Sequence, residues 1–334
     1  MENPDHFIQV ATAGEALIDM IRQPDGRYAA CLGGAVYNLT RALSRQGVGT
    51  VYLNPLSQDD LGRQLAAQLR ADGVHLACST PVPESTAMAV VGLDTKGQPT
   101  YSFYREGVAD RCVDAATLNA QTAAYPALQL VATGCLALAP EDAPHYLPWL
   151  TAQRALGRTV VVDVNLRLVA MRDAQAYRQN VLAAVGFAHI VKASDEDLDA
   201  LQIAGDTALT KASNLLHSSV ADCLVLTLGA QGACLLTRGG AVWQAKEREA
   251  VQVVDTVGAG DCFLAGLLAA LLHASKGAGL DLTAIDEDKA QVLLQHALSC
   301  ASINVMRSGC EPPTWPEVSG RVAEVHYEFG GTGK

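Results

Sequence analysis

One stretch of the sequence, DTVGAGDCFLAG at residues 255–266, combines a glycine-rich turn with an acidic residue. Gly258, Ala259 and Gly260 come directly before Asp261, and a long apolar run follows. Glycines at the start of a helix let backbone N–H groups point together at an anion, and the helix dipole favours negative charge there. A carboxylate beside a bound anion repels it unless it has a chemical task, such as accepting a proton from an attacking hydroxyl. An Asp that only caps the helix is the common alternative, but the flanking residues make this string too specific for a cap alone.

Polar residues also end the other apolar runs that we interpret as strands of a parallel sheet. Ligands of open parallel sheets bind beyond the carboxyl ends of the strands, so these positions are candidates for binding or catalysis. They are Asp163, Asn165 and Arg167 after TVVV; Lys192, Ser194, Asp195 and Asp197 after HIV; Thr227 and Gly229 after CLVL; and residues 255–261 after VQVV.

The elements that must position these residues alternate between short apolar runs and longer helical stretches. Runs such as FIQVATAG, LQLVATG, TVVVDVN, HIVKAS and CLVLTLG have few charges and are separated by segments of helical character. Near-continuous apolar strands that alternate with helices are typical of a sheet covered on both faces. The pattern therefore predicts an α/β fold with a mostly parallel central sheet.

Two hairpin-like segments interrupt this alternation early in the chain. We expect their strands within about residues 15–32 and 85–110, the second pair turning at Lys96-Gly97. Because these strands break the alternation of strand and helix, they predict a separate small β-sheet that acts as a lid.

Composition and charge argue against several classes of protein. The chain has 334 residues, of which 49% are hydrophobic and 18% charged, enough for a large core. Its net charge of −11 argues against nucleic-acid and membrane partners. We expect no signal peptide and no membrane span, since no apolar segment reaches about 18 residues. Nine dispersed cysteines without metal-ligand spacing indicate buried thiols in a reducing compartment, which predicts a cytoplasmic protein.

Two motifs in the chain belong together in one known family. DTVGAGDCFLAG resembles the C-terminal signature of the ribokinase-like sugar kinases, also called the phosphofructokinase B family, and CLGGAVYNLTRALSRQG resembles their first signature. The resemblance runs from ATAGEALIDM to VMRSGCEPP, nearly the whole chain. It implies a three-layer α/β/α fold, one kinase domain over residues 1–330, and ATP- and Mg²⁺-dependent phosphorylation of a primary hydroxyl on a small sugar. We expect residues 331–334 to be a disordered end.

The resemblance also implies roles for individual residues. Asp261 would be the base that deprotonates the sugar hydroxyl, and the amides of Gly258, Ala259 and Gly260 would bind the transferring phosphoryl group. The sugar would be bound by Asp19, Gly33, Gly34, Asn38, Tyr104, Arg105, Asn165 and Arg167. The nucleotide would be bound by Lys192, Ser194, Asp197, Thr227, Gly229 and Gly232.

Three further segments narrow the resemblance to a subgroup. GEALIDM, FYREGVAD and DVNLR are similar to segments of bacterial fructokinases, and also of 2-keto-3-deoxygluconate kinases and aminoimidazole riboside kinases. The first of these groups makes fructose the leading candidate for the sugar. If Arg105 and Arg167 both face the substrate, they could grip a carboxylate, which suits a keto-acid sugar. If they approach phosphate or structural carboxylates instead, a neutral sugar fits.

The resemblance points to two positions where cations would bind. The Asn-x-x-Glu element of the family, which organises Mg²⁺ and water, falls at SDED, so that Ser194 replaces the usual Asn and Asp197 the usual Glu. The shorter Asp197 would reach Mg²⁺ through water. Many family members respond to K⁺, which Asp255 and the backbone near Gly309 would hold; alternatively, Asp255 only caps and orients the turn.

The resemblance also raises the alternative of a regulator without catalytic activity and the question of whether the chain forms a homodimer. A catalytically silent sugar-binding regulator could use the same fold, since fold alone does not give function. Retention of Asp261 and of the glycine turn argues against it. The exposed edges of a small lid sheet predict that two lids pair, which would make a homodimer.

Overall fold

The computed structural model describes residues 8–23, 25–93, 99–275 and 279–332. Its strands are β1 (Val10–Thr12), β2 (Leu17–Arg22), β3 (Tyr28–Gly33), β4 (Thr50–Tyr52), β5 (His75–Leu76), β6 (Ala87–Leu93), β7 (Pro99–Tyr104), β8 (Leu130–Gly134), β9 (Thr159–Asp163), β10 (Ile190–Ser194), β11 (Cys223–Thr227), β12 (Ala233–Thr237), β13 (Val242–Glu247) and β14 (Tyr327–Thr332). Its α-helices are α1 (Ala35–Arg45), α2 (Asp60–Ala71), α3 (Ala115–Ala123), α4 (Ala143–Ala155), α5 (Ala174–Val185), α6 (Asp195–Ala200), α7 (Ala208–Ser218), α8 (Ala259–Ser275), α9 (Glu287–Val305) and α10 (Trp315–Glu324).

A large sheet with the strand order β14-β13-β12-β11-β10-β9-β8-β1-β4-β5 forms the centre of the molecule. It is parallel from β11 to β5. Val160 and Val162 of β9 pack into the apolar cluster under α3, α4, α5 and α7, whereas Val161 packs into the cluster under α1, α8 and α9. Alternate residues of one strand thus fill two cores. The predicted three-layer α/β fold with a mostly parallel sheet is confirmed.

One edge of the large sheet departs from the parallel pattern. β12 runs antiparallel to β11, β13 to β12, and β14 to β13. Gly331 and Thr332 of β14 pair with Trp243 and Val242, and a Cβ on Gly331 would lie 2.4 Å from the Trp243 ring. Gly331 and Thr332, for which a disordered end is expected, thus lie in a strand of this edge. Residues 333–334 lie outside the described residues.

The small sheet, which we call the lid, has the strand order β3-β2-β6-β7. β2 with β3 and β6 with β7 form antiparallel hairpins, and β2 joins the two by pairing parallel to β6. The predicted pair of hairpins in a separate sheet is confirmed. The turn expected at Lys96-Gly97 lies outside the described residues.

Two sequence-based predictions concern the cysteines and membrane spans. All nine cysteines are free, and six of them are buried, which agrees with the predicted buried thiols for those six. Within the described ranges, no helix combines the length and the apolar character that a bilayer crossing requires.

Candidate active site

A glycine-rich turn leads into α8 at the carboxyl edge of the large sheet. Gly258 has a φ of 74°, and a Cβ there would lie 2.3 Å from Sγ of Cys310, so only glycine fits. The N–H of Ala259 closes the turn by donating to the carbonyl of Thr256 at 3.2 Å. The first N–H groups of a helix lack acceptors within it and carry the positive end of its dipole. The start of α8 can therefore bind an anion.

Asp261 lies in the first turn of α8 and exposes only 6% of its surface. Its Oδ2 accepts a hydrogen bond of 2.9 Å from Nδ2 of Asn38 in α1. Burial, followed by the nearby charge of Asp163, raises the pKa of Asp261 from 3.8 to about 7. The hydrogen bond from Asn38 and the cations Lys192 and Arg167 act in the opposite direction. A carboxylate with a pKa near neutrality is suited to accept a proton from a hydroxyl.

A buried ion pair lies beside this turn. Nζ of Lys192, in β10, is 3.0 Å from Oδ1 of Asp163 at the end of β9, and both side chains are almost fully buried. A Cβ on Gly260 would lie 3.0 Å from the same Nζ, so the ammonium group packs against the first turn of α8. Burial lowers the pKa of Lys192, but the surrounding carboxylates, chiefly Asp163, outweigh that effect and raise it overall. The site therefore holds a fixed positive charge next to the anion-binding turn.

The segment that follows β9 leads back into the same cleft. Asn165 is buried and has a φ of 38°, a left-handed conformation that Asn adopts more readily than most residues. The N–H of Leu166 donates to Oδ1 of Asp197 at 2.8 Å. Desolvation lowers the pKa of Arg167, but Cys135 and the carboxylates of the cleft, Asp261 among them, raise it overall. The guanidinium of Arg167 therefore stays charged among these acids.

Gly33 and Gly34 join the lid to α1. Gly34 has a φ of 109°, and a Cβ there would lie 2.6 Å from the carbonyl oxygen of Glu15. A Cβ on Gly33 would lie 2.2 Å from Oδ2 of Asp19, so the Asp19 carboxylate lies directly against the glycine pair. Burial raises the pKa of Asp19 to about 6, with Arg167 opposing the shift. The structure thus brings together three of the residues predicted to bind the sugar.

Glu15 holds the start of α1 and is absent from the predicted site. Gly34 is the N-cap of α1 and has no side chain with which to cap it. Oε1 of Glu15 accepts a hydrogen bond of 2.9 Å from the N–H of Ala35 instead. Burial raises the pKa of Glu15 to about 7, and Arg105 opposes this effect. Glu15 therefore positions the helix that carries Asn38.

Of the two lid residues predicted to bind the sugar, Tyr104 and Arg105, the second lies among acidic side chains in this structure. Nη2 of Arg105 lies 3.3 Å from Oδ2 of Asp142 and 3.9 Å from Oδ2 of Asp110. Its Nη1 donates to the carbonyl of Leu136 at 3.4 Å. Of the two alternatives for Arg105, the structure shows the approach to structural carboxylates. Tyr104 is 57% exposed on the lid.

A cavity of about 970 Å³ opens from the glycine turn along the carboxyl ends of β9, β10 and β11. Each residue predicted to bind the nucleotide lines this cavity: Lys192, Ser194, Asp197, Thr227, Gly229 and Gly232. Asn165, Arg167, Ala259 and Gly260 line it as well. A Cβ on Gly232, whose φ is 89°, would lie 2.1 Å from the carbonyl oxygen of Ala245. The cavity has the size and the mixed lining that suit a nucleotide.

Both carboxylate oxygens of Asp197 already accept hydrogen bonds from the backbone. Besides the bond from Leu166, Oδ2 accepts from the N–H of Ser194 at 2.9 Å, and Oγ of Ser194 accepts from the N–H of Asp197 at 3.0 Å. The two bonds between Ser194 and Asp197 form the capping box of α6. In the described part of the chain, no group of three or more His, Cys, Asp or Glu side chains could hold a metal ion. Because both of its oxygens already accept backbone N–H groups, Asp197 is compatible with a contact to a metal ion through water.

Asp255 connects the glycine turn to a second loop. Its Oδ1 accepts from the N–H of Val257 at 3.0 Å, and its Oδ2 accepts from the N–H of Gly309 at 2.9 Å. Asp255 thus orients the turn, which is one of the two roles considered for it. Binding of K⁺ at this position stays a prediction.

Comparison with known proteins identifies the class to which this fold and site belong. Residues 8–318 match the family described as pfkB family carbohydrate kinase. The chain belongs to this family, as its two signatures predict, and it is therefore a carbohydrate kinase.

Individual relatives agree with this assignment. A fructokinase from Rhizobium leguminosarum bv. trifolii is 35% identical over 266 residues, which cover 78% of this chain and 79% of the relative. The structure of a fructokinase with bound ATP from Xylella fastidiosa is similar with a TM-score of 0.79 and 24% identity, over 96% of this chain and 99% of that one. An aminoimidazole riboside kinase from Salmonella enterica, complexed with aminoimidazole riboside and an ATP analogue, gives a TM-score of 0.77 at 23% identity, over 94% and 99%. These two structures show the shared fold.

Proposed function

We propose that this chain transfers the γ-phosphoryl group of ATP to a primary hydroxyl of fructose. One observation carries the proposal: Asp261, a buried carboxylate with a pKa of about 7, lies at the anion-binding start of α8 and accepts a hydrogen bond from Asn38. The fructokinase name of the 35% identical relative supports fructose as the sugar. The ATP-bound fructokinase of similar fold supports ATP as the donor.

In the proposed reaction, ionised Asp261 accepts the proton of the sugar hydroxyl while the hydroxyl oxygen attacks the γ-phosphorus. The bond between the γ-phosphorus and the oxygen bridging to the β-phosphate breaks, so that ADP leaves and a sugar phosphate forms. N–H groups at the start of α8 and the ammonium of Lys192 stabilise the charge on the transferring oxygens. Asp261 then releases its proton to solvent.

The sugar in this proposal lies between the lid and the glycine turn. Asp19 would accept hydrogen bonds from adjacent sugar hydroxyls, because ionised acceptors form the stronger bonds. Arg105 is paired with Asp142 and Asp110, which leaves Arg167 as the arginine of that predicted pair available to the cleft. A neutral sugar therefore suits the site better than a keto acid whose carboxylate needs both guanidinium groups. The role of Tyr104 stays a prediction.

Two cations complete the proposal. The arrangement at Asp197 fits Mg²⁺ that is carried by the phosphates of ATP and reached through water, and Mg²⁺ would neutralise charge on those phosphates. Asp255 and the backbone near Gly309 are proposed to hold K⁺. Each carboxylate oxygen of Asp255 accepts one N–H and keeps a second lone pair with which to bind a cation.

The proposal extends to organisation and environment. Residues 1–330 would form one kinase domain, and two chains would pair through the exposed lid edges, β3 and β7, in a homodimer. The nine free thiols support a reducing compartment such as the cytoplasm. The net charge of −11 supports small anionic and neutral ligands rather than nucleic acid as partners.

The first test is ADP release with ATP and Mg²⁺ in the presence of fructose, 2-keto-3-deoxygluconate, aminoimidazole riboside, ribose or no sugar. We expect selective turnover of fructose. Turnover of the keto acid would return Arg105 and Arg167 to the role of carboxylate ligands. Absence of turnover with every sugar, in folded protein that binds sugar, would favour the catalytically silent regulator.

The second half of the test concerns the base. Asp261→Asn should lower kcat by about 10²–10⁴-fold, the usual loss for a positioned acid–base group, while the protein stays folded. Asp60→Asn removes an exposed carboxylate from the start of α2 and serves as the matched control with unchanged turnover. Near-normal turnover by folded Asp261→Asn would contradict the proposal.

A further inference from the structure

One loop, residues 309–313, contacts the glycine turn directly. Sγ of Cys310 lies only 2.3 Å from the position that a Cβ on Gly258 would occupy. The N–H of Gly309 donates to Oδ2 of Asp255 at 2.9 Å. The conformation of this loop therefore constrains the turn that starts α8.

A buried asparagine ties the same loop to the turn a second time. Nδ2 of Asn304, near the end of α9, donates to the carbonyl of Val257 at 2.8 Å. Its Oδ1 accepts from the N–H of Glu311 at 3.1 Å. Loop and turn thus form one hydrogen-bonded unit, so that a displacement of one is transmitted to the other.

Arginines of α1 hold this loop from its other side. Nη1 of Arg41 donates to the carbonyl of Cys310 at 2.9 Å. Nε of Arg45 donates to the carbonyl of Pro312, two residues farther along. Of these two contacts, the one from Arg41 reaches the residue that packs against Gly258.

Arg41 is held in place by a buried ion pair. Its side chain is 2% exposed, and its Nε lies 2.6 Å from Oδ2 of Asp72, which is equally buried. A buried ion pair often contributes little net stability, because the cost of desolvation offsets the attraction between the charges. The pair does, however, fix the orientation of the guanidinium group. This planar group donates to the Asp72 carboxylate and to the Cys310 carbonyl at the same time.

The same helix also holds the base. Asn38 and Arg41 are three residues apart in α1, so their side chains are neighbours on one helix face. Asn38 donates to Asp261, and Arg41 donates to the loop that packs under Gly258. One helix therefore contacts the base and the phosphoryl-binding turn through two adjacent side chains.

We propose that Arg41 is a positioning residue for phosphoryl transfer. It holds the 309–313 loop, and through that loop Gly258, in register with Asp261, which Asn38 orients from the same helix. The inference rests on the proposed roles of Asp261 and the turn. Arg41 is buried and does not line the nucleotide cavity, so its loss should disturb alignment in the transition state rather than binding of either substrate.

The test is Arg41→Lys, which keeps a positive charge near Asp72 but cannot serve two acceptors with one planar group. We expect kcat with fructose to fall on the order of 10- to 100-fold, because small misplacements of reacting groups are costly. KM for fructose and for ATP should stay close to wild type, since ground-state contacts are untouched. Hydrogen–deuterium exchange should become faster at the amides of residues 256–260 and 309–311.

Arg154→Lys is the matched control for loss of an arginine that holds loop carbonyls. Nη1 of Arg154 donates to the carbonyls of Phe187 and Ala188, at 2.9 and 3.2 Å. These residues precede β10 and so lie at the end of the sheet opposite the site. Arg154→Lys should lower the unfolding temperature and leave kcat unchanged.

Two results would overturn the inference: a wild-type kcat in folded Arg41→Lys, or an equal loss of kcat in Arg154→Lys. Should Arg41→Lys fail to fold, Asp72→Asn keeps the shape of the partner and weakens the pair; the same loss in kcat without change in KM is expected. An active Asp261→Asn would overturn the proposed function, whereas an inactive Asp261→Asn beside a fully active Arg41→Lys would overturn the role of Arg41 alone.

Discussion

At the scale of single residues, the pKa of Asp261, the proposed base, is set by opposing neighbours. Burial and Asp163 favour its neutral form, whereas Asn38, Lys192 and Arg167 favour the carboxylate, and the balance leaves a pKa of about 7. At neutral pH, a carboxyl group with an ordinary pKa would be ionised but would be a weak base. A fully desolvated carboxyl group would be neutral and could not accept a proton. With a pKa of about 7, Asp261 would be partly ionised at neutral pH and basic enough to assist the hydroxyl in the proposed reaction.

This balance predicts the pH dependence of the reaction. Because only ionised Asp261 can accept the proton, kcat with fructose should rise about tenfold per pH unit below pH 7 and level off above it. Steady-state rates between pH 5.5 and 8.5, at saturating ATP and Mg²⁺, measure this profile.

Replacement of Lys192 by Met gives a second test of the same pH profile. Lys192 lowers the pKa of Asp261, so Lys192→Met should move the midpoint to higher pH as well as lower the rate. A rate that is flat from pH 5.5 to 8.5 in the wild type would contradict Asp261 as the base.

At the scale of elements, α1 depends on a cap that comes from another part of the chain. Gly34 must be glycine because of its φ of 109° and its close approach to the Glu15 backbone, so the N-cap position has no side chain to offer. Glu15, in the loop between β1 and β2, supplies the missing acceptor to Ala35. The cap that Gly34 cannot supply thus comes from Glu15, which lies twenty positions before the N–H donor Ala35.

A pair of variants tests this cap. Glu15→Ala should lower the free energy of unfolding by about 0.5–2 kcal/mol, the usual loss for a helix cap, and raise KM for fructose, because Asn38 and the glycine pair are carried by this helix. Glu15→Gln keeps the accepting oxygen and should retain both properties. Urea unfolding and fructose titration measure them; equal damage in both variants would show that the charge matters rather than the cap.

The sequence predicts the elements better than it predicts their partners. Apolar runs reveal β8 to β11 because each is buried on both faces, and the two lid hairpins are visible because their strands are adjacent in the chain. The antiparallel edge is not visible: the residues of β14 pair with residues of β13 that lie 80 to 90 positions earlier, and Gly331 packs closely against Trp243 there. The pattern of apolar and polar residues within one segment does not indicate which distant segment it pairs with.

The same limit applies to the site. The predicted nucleotide residues all line one cavity, because they follow parallel strands whose ends meet at one edge. Arg105 could not be assigned from its motif, since its partner Asp142 lies 37 residues away. The sequence places Asp163 at the end of a strand. Its effect on the site depends on the ion pair with Lys192, which forms because the two residues are partners in neighbouring strands of the sheet.

At the scale of the whole molecule, the lid is where a second chain is expected. Its edge strands, β3 and β7, are each paired on one side only within the sheet. Light scattering coupled to size-exclusion chromatography should give a dimer, and Ala30→Lys, which places a charge on exposed β3, should shift it toward monomer. Glu328→Lys, on edge strand β14 of the other sheet, is the control; a monomeric wild type would contradict pairing through the lid.

The contacts between α1 and the C-terminal part of the chain also govern when the enzyme can first work. Asn38 meets Asp261 across 223 positions of sequence, and Arg41 meets Cys310 across 269. During synthesis the proposed sugar-binding residues leave the ribosome long before the residues that complete the site, and contacts of such long separation form late in folding. A nascent chain that ends before the 309–313 loop contains the proposed base and the residues of the proposed nucleotide site but lacks the support of the turn. Activity should therefore appear late and all at once, when nearly the whole chain has emerged.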